Sequence, residues 1–363
     1  MEASSPTGMS SGTAASTSAR PETGDRSGSR LSRLTSRLPS ISSTAYLRIT
    51  QIALVTCVVN ILTGAAVRLT DSGLGCADWP DCTYSSVTPP LSFHPIMEFG
   101  NRMVVVLLVI AVGAAFVTSF IRVQPRRDLM WLSGALVLGV FAEAGIGAAV
   151  VYSQLNPFVV MIHFLVGIVL VGTALALVLR AGRAGVRSTT KVSHRIRNVA
   201  RAMLVLLVAV LVAGTYTTGT GPHAGAPGAS RIAEPLADAA RAHSSIVLLM
   251  GALTLVELWL LHKDSAPASV IKNAEILLGI MIAQGLVGYT QYFLHEPSLL
   301  VGIHVAGALS VVIAMLCFYD GLSHHPAEMS GRAPGADTVS AGAVSAGAET
   351  DGTLPTHLVD TAP

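Results

Sequence analysis

An all-α membrane protein of eight transmembrane helices, arranged as two duplicated four-helix bundles, is what this sequence predicts. Three observations carry that expectation: eight long apolar runs, basic residues concentrated in alternate connections, and self-similarity at an offset of 141 residues. The 363-residue chain is 51% hydrophobic and 12% charged, with a mean hydropathy of +0.61. Polar tails dilute those averages, so the middle is more apolar still, and soluble globular classes are excluded.

About 20 residues at 1.5 Å rise cross a hydrocarbon layer roughly 30 Å thick. The apolar runs place helices at 46–66, 102–121, 129–151, 158–180, 201–219, 243–262, 273–293 and 298–320. Pro125, Pro157, Pro222, Pro267 and Pro297 punctuate the connections, where a missing backbone N–H is tolerable. Of the 23 Lys and Arg residues, only Arg68, Arg102, Arg231 and Arg241 fall in the odd-numbered connections. The positive-inside rule therefore puts both termini in the cytoplasm. The basic loops need no nucleic acid to explain them; anionic membrane lipid is their expected contact.

The first 44 residues are rich in Ser, Thr, Arg and Gly, without the apolar stretch of a signal peptide. A mitochondrial presequence fits poorly with Glu2, Glu22 and Asp25, so a bacterial plasma-membrane protein is expected. The organisation reads as a disordered cytoplasmic tail (1–44), a four-helix bundle (45–180), a basic cytoplasmic linker (181–200), a second bundle (201–320) and a disordered tail (321–363).

Cys57 and Cys317 sit within apolar runs and read as buried small residues. Cys76 and Cys82, in "LTDSGLGCADWPDC", belong to the first outer loop. An oxidising compartment there favours a short-loop disulfide; a metal pair is the alternative, without a second Cys or His pair nearby.

The repeat points to chemistry. An offset of 141 pairs Glu143 with Gln284, Gly147 with Gly288 and His163 with His304; an offset of 142 pairs Asn101 with His243. His243 and His304 then lie on two helices near the outer surface. Two such histidines across a bundle core suit axial ligation of a haem, and zinc would want more ligands. In the first half His163 stands in the matching place, but its counterpart is Asn101, whose amide is a poor iron ligand. That half reads as a haem-shaped site with one axial position open.

Five stretches, "GAAVRLTDSGLGCADWPDC", "EFGNR", "LNPFVVMIHFLVG", "GTYTTGTGPHAG" and "QYFLHEPSLLVGIHVAG", resemble haem A synthase over roughly residues 45–320. The resemblance implies an oxidoreductase that converts the C8 methyl of haem O to a formyl group by successive hydroxylations, for cytochrome oxidase biogenesis. It implies a resident haem b on His243 and His304, a substrate haem O site at His163 and Asn101, and a catalytic carboxylate at Glu98. It also maps the family's outer-loop cysteine pair onto Cys76 and Cys82, and it implies haem O synthase and the oxidase assembly machinery as partners. Asn101 departs from the family's histidine. Glu143, in the outer half of its helix, reads either as packing or as part of a proton path. The competing readings are a membrane b-type cytochrome carrying electrons from quinol, which would want two closed bis-histidine sites, and a non-enzymatic haem carrier, for which Glu98 would be dispensable.

Overall fold

The computed structural model describes residues 40–183, 189–190 and 192–324. The expectations for residues 1–39, 184–188, 191 and 325–363, covering most of both tails and part of the linker, lie outside the described residues. Eight helices follow in order: α1 (Ser43–Leu69), α2 (Phe93–Phe120), α3 (Arg127–Tyr152), α4 (Pro157–Ala181), α5 (His194–Thr220), α6 (Leu236–Lys263), α7 (Ala268–Phe293) and α8 (Ser298–Gly321). All eight are long and apolar enough to cross a membrane. The chain is a multi-pass, all-helical membrane protein, with one two-residue antiparallel ladder (Thr189 opposite His324, Thr190 opposite Ser323).

At 24 to 28 residues, each helix outruns the hydrocarbon layer. That explains the main difference from the hydropathy reading. The apolar runs locate the lipid-facing lengths, whereas the helices begin earlier: α2 at Phe93 rather than 102, α5 at His194 rather than 201, α6 at Leu236 rather than 243. Local chemistry sets these starts. The Ser42 hydroxyl accepts from Ala45 N at 3.1 Å to cap α1, and Asn156 caps α4 by accepting from Phe158 N at 3.0 Å, with Pro157 in the first turn. Pro235, Pro267 and Pro297 stand immediately before α6, α7 and α8. Residues 194–200, read as linker, thus form the first turns of α5, and Glu98, Asn101 and His243 sit within helices rather than at their beginnings.

Tight contacts tie the helix ends into two layers. At the basic end, Ile41 pairs with the backbone around Arg122, Arg126 donates to the carbonyls of Arg180 and Arg183, Arg183 pairs with Asp320, and Ser193 donates to Asp264. At the opposite end Gly73 N donates to Gly225 O (2.8 Å), Arg68 Nη2 to Thr218 O (2.7 Å), and His223 Nε2 meets Glu296 O (2.7 Å). The helices therefore run alternately up and down between these two ends.

The core fills the basic half. Its fully buried members include Tyr46 and Ala53 early in α1, Leu129 and Leu136 early in α3, Ile196, Ala200 and Met203 early in α5, and Leu277 in α7. From the late parts of the other helices come Ala115, Leu177, Leu261 and Phe318. Serine and threonine hydroxyls buried in the spans return to their own helix: Ser133 donates to Leu129 O at 2.8 Å and Thr254 to Met250 O at 2.9 Å. Helix contacts differ between the halves. α1 packs broadly on α2 and α4, whereas α5 meets α8 at few positions and α8 also lies against α1 and α4.

The repeat is visible in the backbone. Gln154 and Leu155 between α3 and α4, and His295 and Glu296 between α7 and α8, are consecutive left-handed residues (φ 53°, 61° and 61°, 54°). Their bonds also recur at the same offset: Leu155 N to Val150 O at 2.9 Å, and Glu296 N to Gln291 O at 2.8 Å. Each turn delivers the chain to a proline and then to a histidine-bearing helix.

Candidate functional site

The histidines singled out by the repeat lie toward the end opposite the apolar core, where side chains are small and half-buried. His243 on α6 and His304 on α8 face one another, with ring centres 6.4 Å apart and planes at 76°. Imidazoles bonded to opposite faces of one metal, at metal–nitrogen lengths of about 2.0 Å, carry their ring centres about 6 Å apart. The Nδ1 atoms of both rings are buried without a hydrogen-bond partner among the described residues. Two imidazoles at this separation would fit one metal held between them.

A glycine on the preceding helix stands against each ring. A Cβ added at Gly214 would lie 3.0 Å from His243 Cε1, and one added at Gly288 would lie 3.1 Å from His304 Cε1. The first half repeats the arrangement more loosely: Gly147 approaches His163 (3.5 Å to Cε1) and Gly64 approaches Asn101 (3.9 Å to Oδ1). Gly64 and Gly214 escaped the sequence reading, because glycine is common in membrane helices and only the contact reveals its use. Their signal was present, since "GAAVRL" and "GTYTTG" both place a glycine in the last turns of a helix that precedes a ligand-bearing one.

The first-half pair differs in its partners. His163 Nδ1 bonds to Glu143 Oε2 on α3, leaving Nε2 as the nitrogen free to coordinate. Asn101 Oδ1 accepts from the Thr63 hydroxyl at 2.7 Å, so its carbonyl oxygen is already engaged. Gln284, the counterpart of Glu143, instead donates through Nε2 to the backbone carbonyl of His304 at 2.6 Å and leaves that ring untouched.

Glu98 is tied to the outer loop. Its Oε2 accepts from Cys76 N at 2.8 Å and its Oε1 from Arg102 Nη2 at 2.6 Å. Arg102 Nη1 reaches the carbonyls of Asp78, Pro80 and Asp81 at 2.7–3.0 Å. Both side chains are nearly enclosed, 8% exposed for Glu98 and 14% for Arg102. Cys76 and Cys82 form the disulfide that closes this loop, and the Tyr152 hydroxyl donates to Trp79 O at 3.0 Å to pin it against α3. Asn101, next to Arg102 in α2, is one turn from Glu98. Replacing Cys76 and Cys82 together by serine is expected to raise the rate of proteolytic cleavage between residues 76 and 92 severalfold, measured in detergent. An unchanged rate would mean that the polar contacts of Glu98, Arg102 and Tyr152 hold the loop without the disulfide.

Comparison with known proteins gives matches of one kind. The family model COX15-CtaA, described as cytochrome oxidase assembly protein, matches residues 46–226. A "Heme A synthase" of Geobacillus thermodenitrificans is 32% identical over 146 residues, covering 40% of this chain and 45% of that protein. One of Lysinibacillus sphaericus is 33% identical over 120 residues (33% and 38%), and one of Shewanella oneidensis is 29% identical over 190 residues (46% and 55%). The chain thus spans about half the length or less of the curated relatives that head the comparison. Over residues 46–226, more than half of its helices included, the chain is similar to the COX15-CtaA cytochrome oxidase assembly proteins, and these relatives point the same way.

Proposed function

We propose that this protein is a haem A synthase, which oxidises the C8 methyl of haem O to a formyl group through successive hydroxylations. The observation that carries this reading is the difference between the two halves. His243 and His304 bring two imidazole rings together, whereas the residue that the repeat sets against His163 is Asn101, an amide bonded to Thr63. A closed pair of axial ligands suits electron transfer, and an open coordination position suits chemistry on a bound substrate.

In this reading His243 and His304 hold a resident haem b, which supplies one-electron redox chemistry when bound. His163 holds the substrate haem O through Nε2. Glu98 acts from one turn beyond Asn101: its two oxygens hold the disulfide loop to α2 and place negative charge beside the substrate half. Small side chains on α1, α3, α5 and α7 leave room for the porphyrin planes. Apolar helix faces keep bulk water from the methyl that reacts.

The basic end faces the cytoplasm of a bacterial cell, so the loop with Cys76 and Cys82 lies on the oxidising side. Haem O synthase and the oxidase assembly machinery are the expected partners, and anionic lipid the expected contact of the basic end.

The test is expression of the wild type and Glu98→Ala in cells that make haem O, followed by chromatographic separation of haems B, O and A. Haem A with the wild type, and accumulated haem O with the variant, is the expected result. Haem B alone in both proteins would overturn the synthase reading and leave a b-type cytochrome.

A further inference from the structure

The two histidine-bearing helices of the repeat are backed differently, and the difference is built into the packing. On α3, Glu143 reaches across to His163 and bonds to Nδ1. Its other oxygen, Oε1, lies where a Cβ on Gly167 would be 3.3 Å away, so the glycine one turn along α4 makes room for the carboxylate. On α7, Gln284 occupies the matching place and Gly307 clears space for it, yet its amide donates to the His304 carbonyl. His304 Nδ1 is left without a partner among the described residues.

We infer that Glu143 is a positioning residue for His163, fixing its tautomer and ring orientation through Nδ1 and making its Nε2 a stronger donor to haem iron than either histidine of the second half. The physical basis is general: a carboxylate accepting the Nδ1–H of a metal-ligating imidazole fixes which nitrogen coordinates and raises the ligand's basicity. Thr63 and Asn101 act on the opposite side. Asn101 Oδ1 accepts from the Thr63 hydroxyl at 2.7 Å, and its amide is a poor ligand for iron beside the imidazole that stands at this place in the second half. One half therefore combines a carboxylate-backed imidazole with an amide, and the other combines two imidazoles without a carboxylate behind them. This inference rests on the haem reading above and deepens it, by assigning the two halves their different electronic characters to residues that do not themselves bind iron.

The open position supplies the probe. In the full-length reduced protein loaded with iron protoporphyrin, carbon monoxide binds only where an axial site is free, so the CO-reactive fraction reports the first half. The iron–histidine stretch of that five-coordinate fraction, read by resonance Raman before CO is added, reports donor strength. Glu143→Gln is expected to lower the stretching frequency and to weaken retention of the CO-reactive haem about 10–100-fold, with the bis-histidine spectrum of the second half unchanged. That unchanged spectrum shows that the variant has folded. If Glu143→Gln does not fold by this criterion, Glu143→Asp, which keeps the charge but falls one methylene short of Nδ1, is expected to lower the same frequency. An unshifted frequency in a folded variant, with His163→Ala abolishing the CO-reactive fraction, overturns the role of Glu143 while leaving the haem reading intact. A CO-reactive fraction that survives His163→Ala overturns both.

Discussion

Gly288→Val is expected to lower the affinity of the second half for haem by about 10–100-fold, the range associated with losing the support of a metal-ligating histidine. The argument is steric. The first side-chain atom added at this position would already sit 3.1 Å from His304 Cε1, closer than ordinary van der Waals contact, and valine adds two methyl groups beyond it. Overpacking of this kind is relieved by moving the softer partner, and a partnerless imidazole is softer than helix backbone. The ring would turn away from His243, and the pair would no longer meet one metal. Gly285→Val is the control, because a Cβ there meets nothing within 4 Å on the same helix. Haem content, from the pyridine haemochrome of each purified variant, checks the prediction. Equal occupancy in Gly288→Val and Gly285→Val would show that the glycine does not set the ring's position.

Arg102→Ala is expected to cost about 3–5 kcal/mol, the range for removing one partner of a buried ion pair. Its guanidinium serves the Glu98 carboxylate and three carbonyls of the Asp78–Asp81 turn at once. Deleting it leaves the enclosed carboxylate with backbone N–H donors of the loop and no cation, and strips the turn of the guanidinium. The outer loop should detach from α2 even with its disulfide intact. A lowered midpoint of thermal unfolding in detergent, with faster cleavage of the loop at fixed temperature, is the measurement. Arg102→Lys should recover only part of the loss, since a single ammonium cannot span four acceptors in the guanidinium's fixed geometry.

These two residues show where sequence reasoning reached and where it stopped. Hydropathy located all eight helices, because burial in lipid demands long apolar runs whatever the tertiary packing. It missed the outward turns of α2 and α6, because lipid does not select their polar residues; the missed turns of α2 carry Glu98 and Asn101, and those of α6 run up to His243, where the apolar run began. The offset of 141 was legible, and the paired left-handed residues 154–155 and 295–296 express it in the backbone. The partners were not legible. Glu98 and Cys76 are 22 residues apart, and Thr63 and Asn101 are 38 apart. No periodicity links residues on different helices. Glu143 appeared as an acidic residue with a neutral counterpart, but its bond to His163 needed coordinates. The disulfide was legible only as a preference between a bridge and a metal pair, and the bond between Cys76 and Cys82 decides it.

The packing of α8 against α1 and α4, with little contact to α5, has a consequence for biosynthesis. α1 is the earliest of the eight helices to leave the ribosome and α8 the last. A face of α1 therefore waits in the bilayer through the insertion of six further helices before its neighbour arrives. His304 comes with that final helix, so the second histidine pair cannot exist until all eight helices are in place. A nascent chain lacking α8 has no complete pair of imidazoles in its second half, so a haem held by both His243 and His304 would enter only the finished assembly.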